Sequence, residues 1–114
     1  MPRFTSMDES NTRVCYCYRD ASNHKFWGEF ILEGKFAREQ IQEYLFDEEW
    51  FVPEQVGLNH LLTAPWNKDD HILHEIHEVE ATSRQDCICS AREMVERFKQ
   101  AQARDWFEVY TLLL

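Results

Sequence analysis

From Arg13 to Tyr18 the chain reads Arg-Val-Cys-Tyr-Cys-Tyr. These β-branched and aromatic types favour an extended backbone, with Cys15 and Cys17 on one face and Tyr16 and Tyr18 on the other. Arg19 to His24 collects residues that hydrogen-bond their own backbone and favour turns. A second alternating run follows from Lys25 to Glu33, with Phe26, Gly28, Phe30 and Leu32 on one side and Trp27, Glu29, Ile31 and Glu33 on the other. The two runs predict a β-hairpin. From Phe36 to Phe46 apolar groups at Phe36, Ala37, Ile41, Tyr44 and Leu45 recur at helical spacing among good helix formers, which predicts a helix ended by Asp47-Glu48-Glu49. Trp50-Phe51-Val52 reads as a short extended piece. Pro53 opens a helical turn that Gly57 closes.

The segment after Pro65 supports two readings. As a helix, Ile72, Leu73, Ile76 and Val79 form an apolar stripe. As a regular strand, neither Leu73, Glu75, His77, Val79, Ala81 nor Ile72, His74, Ile76, Glu78, Glu80 makes a clean apolar face. A lone hairpin needs a further strand or a packed helix, however, so the expectation is a strand from His74 to Thr82. Thr82 to Asp86 is a linker. Ser90 and Glu93 have capping-box spacing ahead of an amphipathic helix whose stripe is Ala91, Met94, Val95, Phe98 and Ala101. The apolar tail from Trp106 to Leu114 must dock on the core or on a second copy of the chain. The pattern as a whole predicts an α+β domain over 13–114, a small antiparallel sheet packed by two main helices, behind a polar tail at 1–12.

A chain of 114 residues with 44% hydrophobic content is enough for one core. No apolar run is long enough to span a membrane and the first residues lack a signal-peptide core, so the expected setting is cytoplasmic, with the four cysteines as thiols. Charge changes the picture more. The net charge is −9. Between Glu43 and Glu80 stand ten acids (Glu43, Asp47, Glu48, Glu49, Glu54, Asp69, Asp70, Glu75, Glu78, Glu80) against Lys68 alone, while the rest of the chain balances. The whole excess therefore sits in the middle third. That distribution disfavours direct contact with nucleic acid or an anionic membrane and favours a basic partner or a cation.

Candidate chemistry concentrates between Asp69 and Glu80. His71, His74 and Glu75 are a candidate set for zinc or manganese, with Asp70 or Glu78 as a supporting or general-base group. The zincin signature fails, since a single residue separates Glu75 from His77 where two are required. A solvated acidic face is the plainer reading, and under it no cofactor is expected. Cys15-Tyr-Cys17 and Cys87-Ile-Cys89 have a spacing unusual for zinc and read as small buried residues. Ser22 beside His24 lacks a nucleophile elbow, which leaves a hairpin turn. Trp50 and Trp66, aromatics inside a charged rim, have the composition of a protein-binding surface.

Tyr18 to Lys25 with Gly28-Glu29, then Phe51 to Leu58, then Asp70-His71 with His74-Glu75 resemble the landmarks of a family of small uncharacterised bacterial α+β proteins. The resemblance covers roughly 13–82. It implies a compact fold and a bacterial source, brings no activity, and groups Asp70, His71, His74 and Glu75 with the Pro53 turn and the Asp20 turn on one surface. The functional expectation is a non-enzymatic binding protein of the immunity or inhibitor kind. It would engage a basic protein through Asp47, Glu48, Glu49, Trp50, Glu54, Trp66, Asp69 and Asp70. A metal-dependent hydrolase and an acidic mimic of nucleic acid are the rival readings.

Overall fold

The computed structural model describes residues 9–20, 23–61 and 73–106. Strands β1 (Asn11–Arg19), β2 (Lys25–Glu33), β3 (Trp50–Phe51), β4 (His74–Thr82) and β5 (Cys89–Ser90) form one sheet in the order β3-β4-β1-β2-β5. All pairings are antiparallel except β2 with β5. Helix α1 (Ala91–Arg104) follows β5 and buries Ala91, Met94, Phe98 and Ala101. Its start is as the sequence predicts: Ser90 Oγ accepts the Glu93 N–H at 3.0 Å, a cap that contributes about 1 kcal/mol. The Glu93 carboxylate turns instead to Arg97, whose Nη1 also donates to the Val56 carbonyl at 3.2 Å. That contact ties α1 to the Pro53–Val56 turn, which Gly57 closes at a φ of 83°. One face of the sheet lies against this layer, with Val14, Tyr16, Phe30, Leu32, Phe51 and Phe98 among the core residues.

The helix expected over Phe36–Phe46 is not formed. The segment makes two 3-10 turns, Arg38–Gln40 and Gln42–Tyr44, so the sheet is packed by one main helix rather than two. Its apolar anchors explain why. Phe36, Ile41 and Leu45 are all buried, and Leu45 is already extended (ψ 146°) to lead into β3. Side chains hold the two ends of the segment, on backbone groups that a helix over 36–46 would itself leave unpaired. Gln40 Oε1 accepts the Ala37 N–H at 2.8 Å, and Trp106 Nε1 donates to the Tyr44 carbonyl at 2.6 Å.

The contested segment is a strand with the expected bounds, His74–Thr82. Its uneven pattern is resolved by a bulge. Cys15 faces Glu78 but Tyr16 faces Ile76, so His77 is the extra residue and facing changes parity there. His74, Ile76, Val79 and Ala81 thereby share the core side, and Glu75, Glu78 and Glu80 share the open side. At the other end, β1 starts at Asn11, inside the stretch expected as tail. Asn11 donates to the Arg84 carbonyl at 2.7 Å and accepts the Gly34 N–H at 3.1 Å. Residues 83–88 cross the sheet end to reach β5. The expected docking of the C-terminal tail falls mostly outside the described residues, but Trp106 is buried and packs on Phe98, with ring centroids 5.8 Å apart.

Candidate functional site

After Leu45 the chain makes a tight acidic tip. Phe46 and Trp50 exchange backbone hydrogen bonds at 2.7 and 2.9 Å, and the Glu49 N–H donates to the Phe46 carbonyl at 3.0 Å. Asp47 and Glu48, inside that loop, take φ values of 54° and 60°. This left-handed region costs an L-residue about 1–2 kcal/mol unless it is glycine, asparagine or aspartate. Asp47, Glu48 and Glu49 are exposed, and so is Glu54 on the Pro53 turn. None of the four forms an ion pair among the described residues. Phe46 is 37% exposed, and its ring centroid lies 6.5 Å from that of half-buried Trp50. The tip is thus three strained or exposed acids mounted on an aromatic pair. Replacing Glu48 by glycine releases the left-handed strain, less the extra chain entropy of glycine, so Glu48→Gly should raise stability by about 0.5–1 kcal/mol in urea unfolding.

Trp50 pairs with Glu75 across β3 and β4. Beside them lies a pocket of about 310 Å³ lined by Arg19, Asp20, Glu49, Trp50, Leu73 and Glu75. The Asp20 turn and Glu75 thus share one end of the sheet. Within the turn Asp20 accepts the His24 N–H at 2.8 Å and lies 3.2 Å from His24 Nδ1. Its carboxylate works on its own loop.

The proposed metal ligands do not meet. His74 lies on the core side, buried, with Nε2 accepting the Leu61 N–H at 3.1 Å and its ring 4.4 Å from that of His60. Glu75 points to the open side and pairs with Arg19 at 3.4 Å. Strand alternation separates the two, so they do not converge on one ion. Among the described residues no three His, Cys, Asp or Glu side chains converge as a metal site. His71 lies outside the described residues, as do Trp66, Asp69 and Asp70.

The open side also divides the acids of the middle third. Arg13 binds Glu29 at 2.7 Å, Glu80 at 2.9 Å and Glu78 at 3.3 Å, and Arg84 joins Glu29 to Asp86. The Arg84 and Arg13 guanidiniums hold the Glu29 carboxyl below its ordinary range, and Arg84 does the same to Asp86. Glu75, Glu78 and Glu80 are therefore already matched by arginine. A count along the chain misses this, because Arg13 stands sixty-odd positions from its partners.

Cys15 and Cys17 belong to the open side, near Arg13, Glu78 and Glu75, whereas Cys89 pairs with Leu32 and packs against the core. The two pairs occupy different faces and do not form one four-thiolate site. All four are free thiols, and burial pushes the Cys15, Cys17 and Cys89 thiols up. Iodoacetamide at neutral pH should therefore label half-buried Cys87 first, with Cys15 and Cys17 reacting only as the hairpin opens in denaturant. Mass mapping of the labelled peptides checks the order.

Comparisons with protein-family models, with curated proteins and with solved structures found no match. Among the described residues no helix is long and apolar enough to cross a membrane.

Proposed function

We propose that this chain is a small binding or neutralising protein that captures a basic protein with the Asp47–Trp50 tip and Glu54 on the adjoining turn, together with Trp66, Asp69 and Asp70, which the sequence groups with the same acidic third. The observation that carries the reading is the division of the acids. Glu75, Glu78 and Glu80 are matched by arginines, while Asp47, Glu48, Glu49 and Glu54 are presented without ion pairs among the described residues. Unmatched carboxylates steer a cationic partner over several ångströms, and Phe46 and Trp50 beneath them supply apolar contact once it arrives. The strain at Glu48 fits the same reading, since a tip selected for stability alone would carry glycine there. A cytoplasmic setting and a bacterial source belong to the proposal, the latter from the resemblance of the Tyr18–Lys25 and Phe51–Leu58 stretches to the bacterial family.

The test is affinity capture with the intact chain and with a variant carrying Asp47→Lys, Glu48→Lys and Glu49→Lys. A basic protein retained by the first and lost by the second supports the reading. A partner held equally by both removes the tip from the interface.

A further inference from the structure

Among the described residues, strand β2 has an edge left unpaired over 25–29. β1 pairs along its length, but β5 pairs only with Leu32 and Glu33. The direction of each backbone group follows from the turn. The Asp20 N–H donates to the His24 carbonyl at 3.0 Å, which makes the even-numbered residues of β2 the ones bonded to β1 and turns the odd-numbered ones outward. Ile31 obeys this parity, its carbonyl accepting the Ile88 N–H at 2.9 Å. The outward N–H and C=O groups of Lys25, Trp27 and Glu29 have no hydrogen-bond partner among the described residues. Trp27, in the middle of this run, is 51% exposed and leans on His77 of β4.

We propose that two copies of the chain join edge to edge through β2, antiparallel and centred on Trp27, into one continuous sheet. A two-fold axis requires the residue n places before the centre to face the residue n places after it on the partner. Lys25-Phe26-Trp27-Gly28-Glu29 meets that condition: Lys25 faces Glu29, Phe26 faces Gly28, and Trp27 faces its own copy. All three odd-numbered positions then form hydrogen-bonded pairs, which the outward backbone groups require. Other centres fail. On Glu29, two like charges oppose and the Ile31 carbonyl, already bonded, is needed. On Lys25, two lysines oppose and the strand runs out into the turn. The charge is right as well. Arg13 and Arg84 bring two cations to Glu29, Glu78, Glu80 and Asp86, four carboxylates, so the cluster stays net negative toward an incoming Lys25. An aromatic ring beside glycine shields the bare backbone at the Phe26–Gly28 step. The pairing would set β3 and its acidic tip at the two far ends of the joined sheet, clear of the contact.

Sedimentation velocity of the full chain, from about 5 to 500 µM to cover a small interface, tests this. The expected result is a monomer–dimer equilibrium that Lys25→Glu weakens about tenfold or more by placing like charges opposite each other twice. In Trp27→Cys the paired Cα atoms would lie about 5.5 Å apart, within disulfide reach, so mild oxidation should link two chains through position 27, as identified by peptide mapping. Both side chains are exposed, and circular dichroism checks that the variants fold. A folded wild type that stays monomeric over the whole range overturns the proposal. So does a dimer that ignores Lys25→Glu and fails to link at position 27, which assigns it to another surface such as the C-terminal tail.

Discussion

Phe98→Ala is expected to lower the folding free energy by about 3–5 kcal/mol, a large share of what a domain of this size possesses. Phe98 is fully buried and stands between Phe51 of β3 at 5.3 Å and Trp106 at 5.8 Å. It therefore joins the helix, a short edge strand and the start of the C-terminal segment at one point. α1 is the only α-helix among the described residues, so no second helix stands ready to fill the void. Urea unfolding followed by tryptophan fluorescence measures the loss. Glu96→Ala, on the exposed side of the same helix, should change stability by no more than about 0.5 kcal/mol.

The second large effect concerns binding. Reversing Asp47, Glu48 and Glu49 to lysine should slow association with a basic partner by about 10- to 1,000-fold at low salt, the range over which steering acts on such rates. Folding stability should hardly move, because the three side chains are exposed and make no ion pair among the described residues, and lysine is no worse than glutamate at a φ near 60°. Glu78→Gln and Glu80→Gln are the discriminating controls. Each changes the formal charge of the same third of the chain by one unit, against two for each lysine reversal, so the matched comparison is with Asp47→Asn, Glu48→Gln and Glu49→Gln. Arg13 already matches Glu78 and Glu80, however, so their neutralisation should change the association rate by less than about threefold. Equal losses per charge in the two neutralised sets would mean that net charge, rather than the tip, governs capture.

Much of the fold is legible in the residues. The hairpin, the Pro53–Gly57 turn and the Ser90 cap all follow from local chemistry: alternation, a fixed proline φ, a left-handed glycine and an N-cap hydroxyl, while β4 follows from the hairpin's need of a further strand. Two features needed the third dimension. The bulge at His77 reverses side-chain parity within β4, and strict alternation therefore finds no clean face there. At Phe36–Leu45 helical spacing was present, but Phe36, Ile41 and Leu45 are all buried and Leu45 must turn toward β3, which sequence spacing does not show. The candidate site was legible in part. Asp47, Glu48, Glu49 and Trp50 do share one exposed tip. The role of Glu75, Glu78 and Glu80 was not visible, since their partners Arg13 and Arg19 stand on the adjacent strand β1 but more than fifty positions away in the chain, and strand geometry parts His74 from Glu75.

The most direct measurement is the association rate between the captured basic partner and the intact chain as ionic strength rises. Steering by the tip predicts a rate that falls steeply with salt in the wild type and only weakly in the Asp47→Lys, Glu48→Lys, Glu49→Lys variant, with dissociation rates little affected. A wild-type rate independent of salt, or equal salt slopes in the two proteins, would contradict the account.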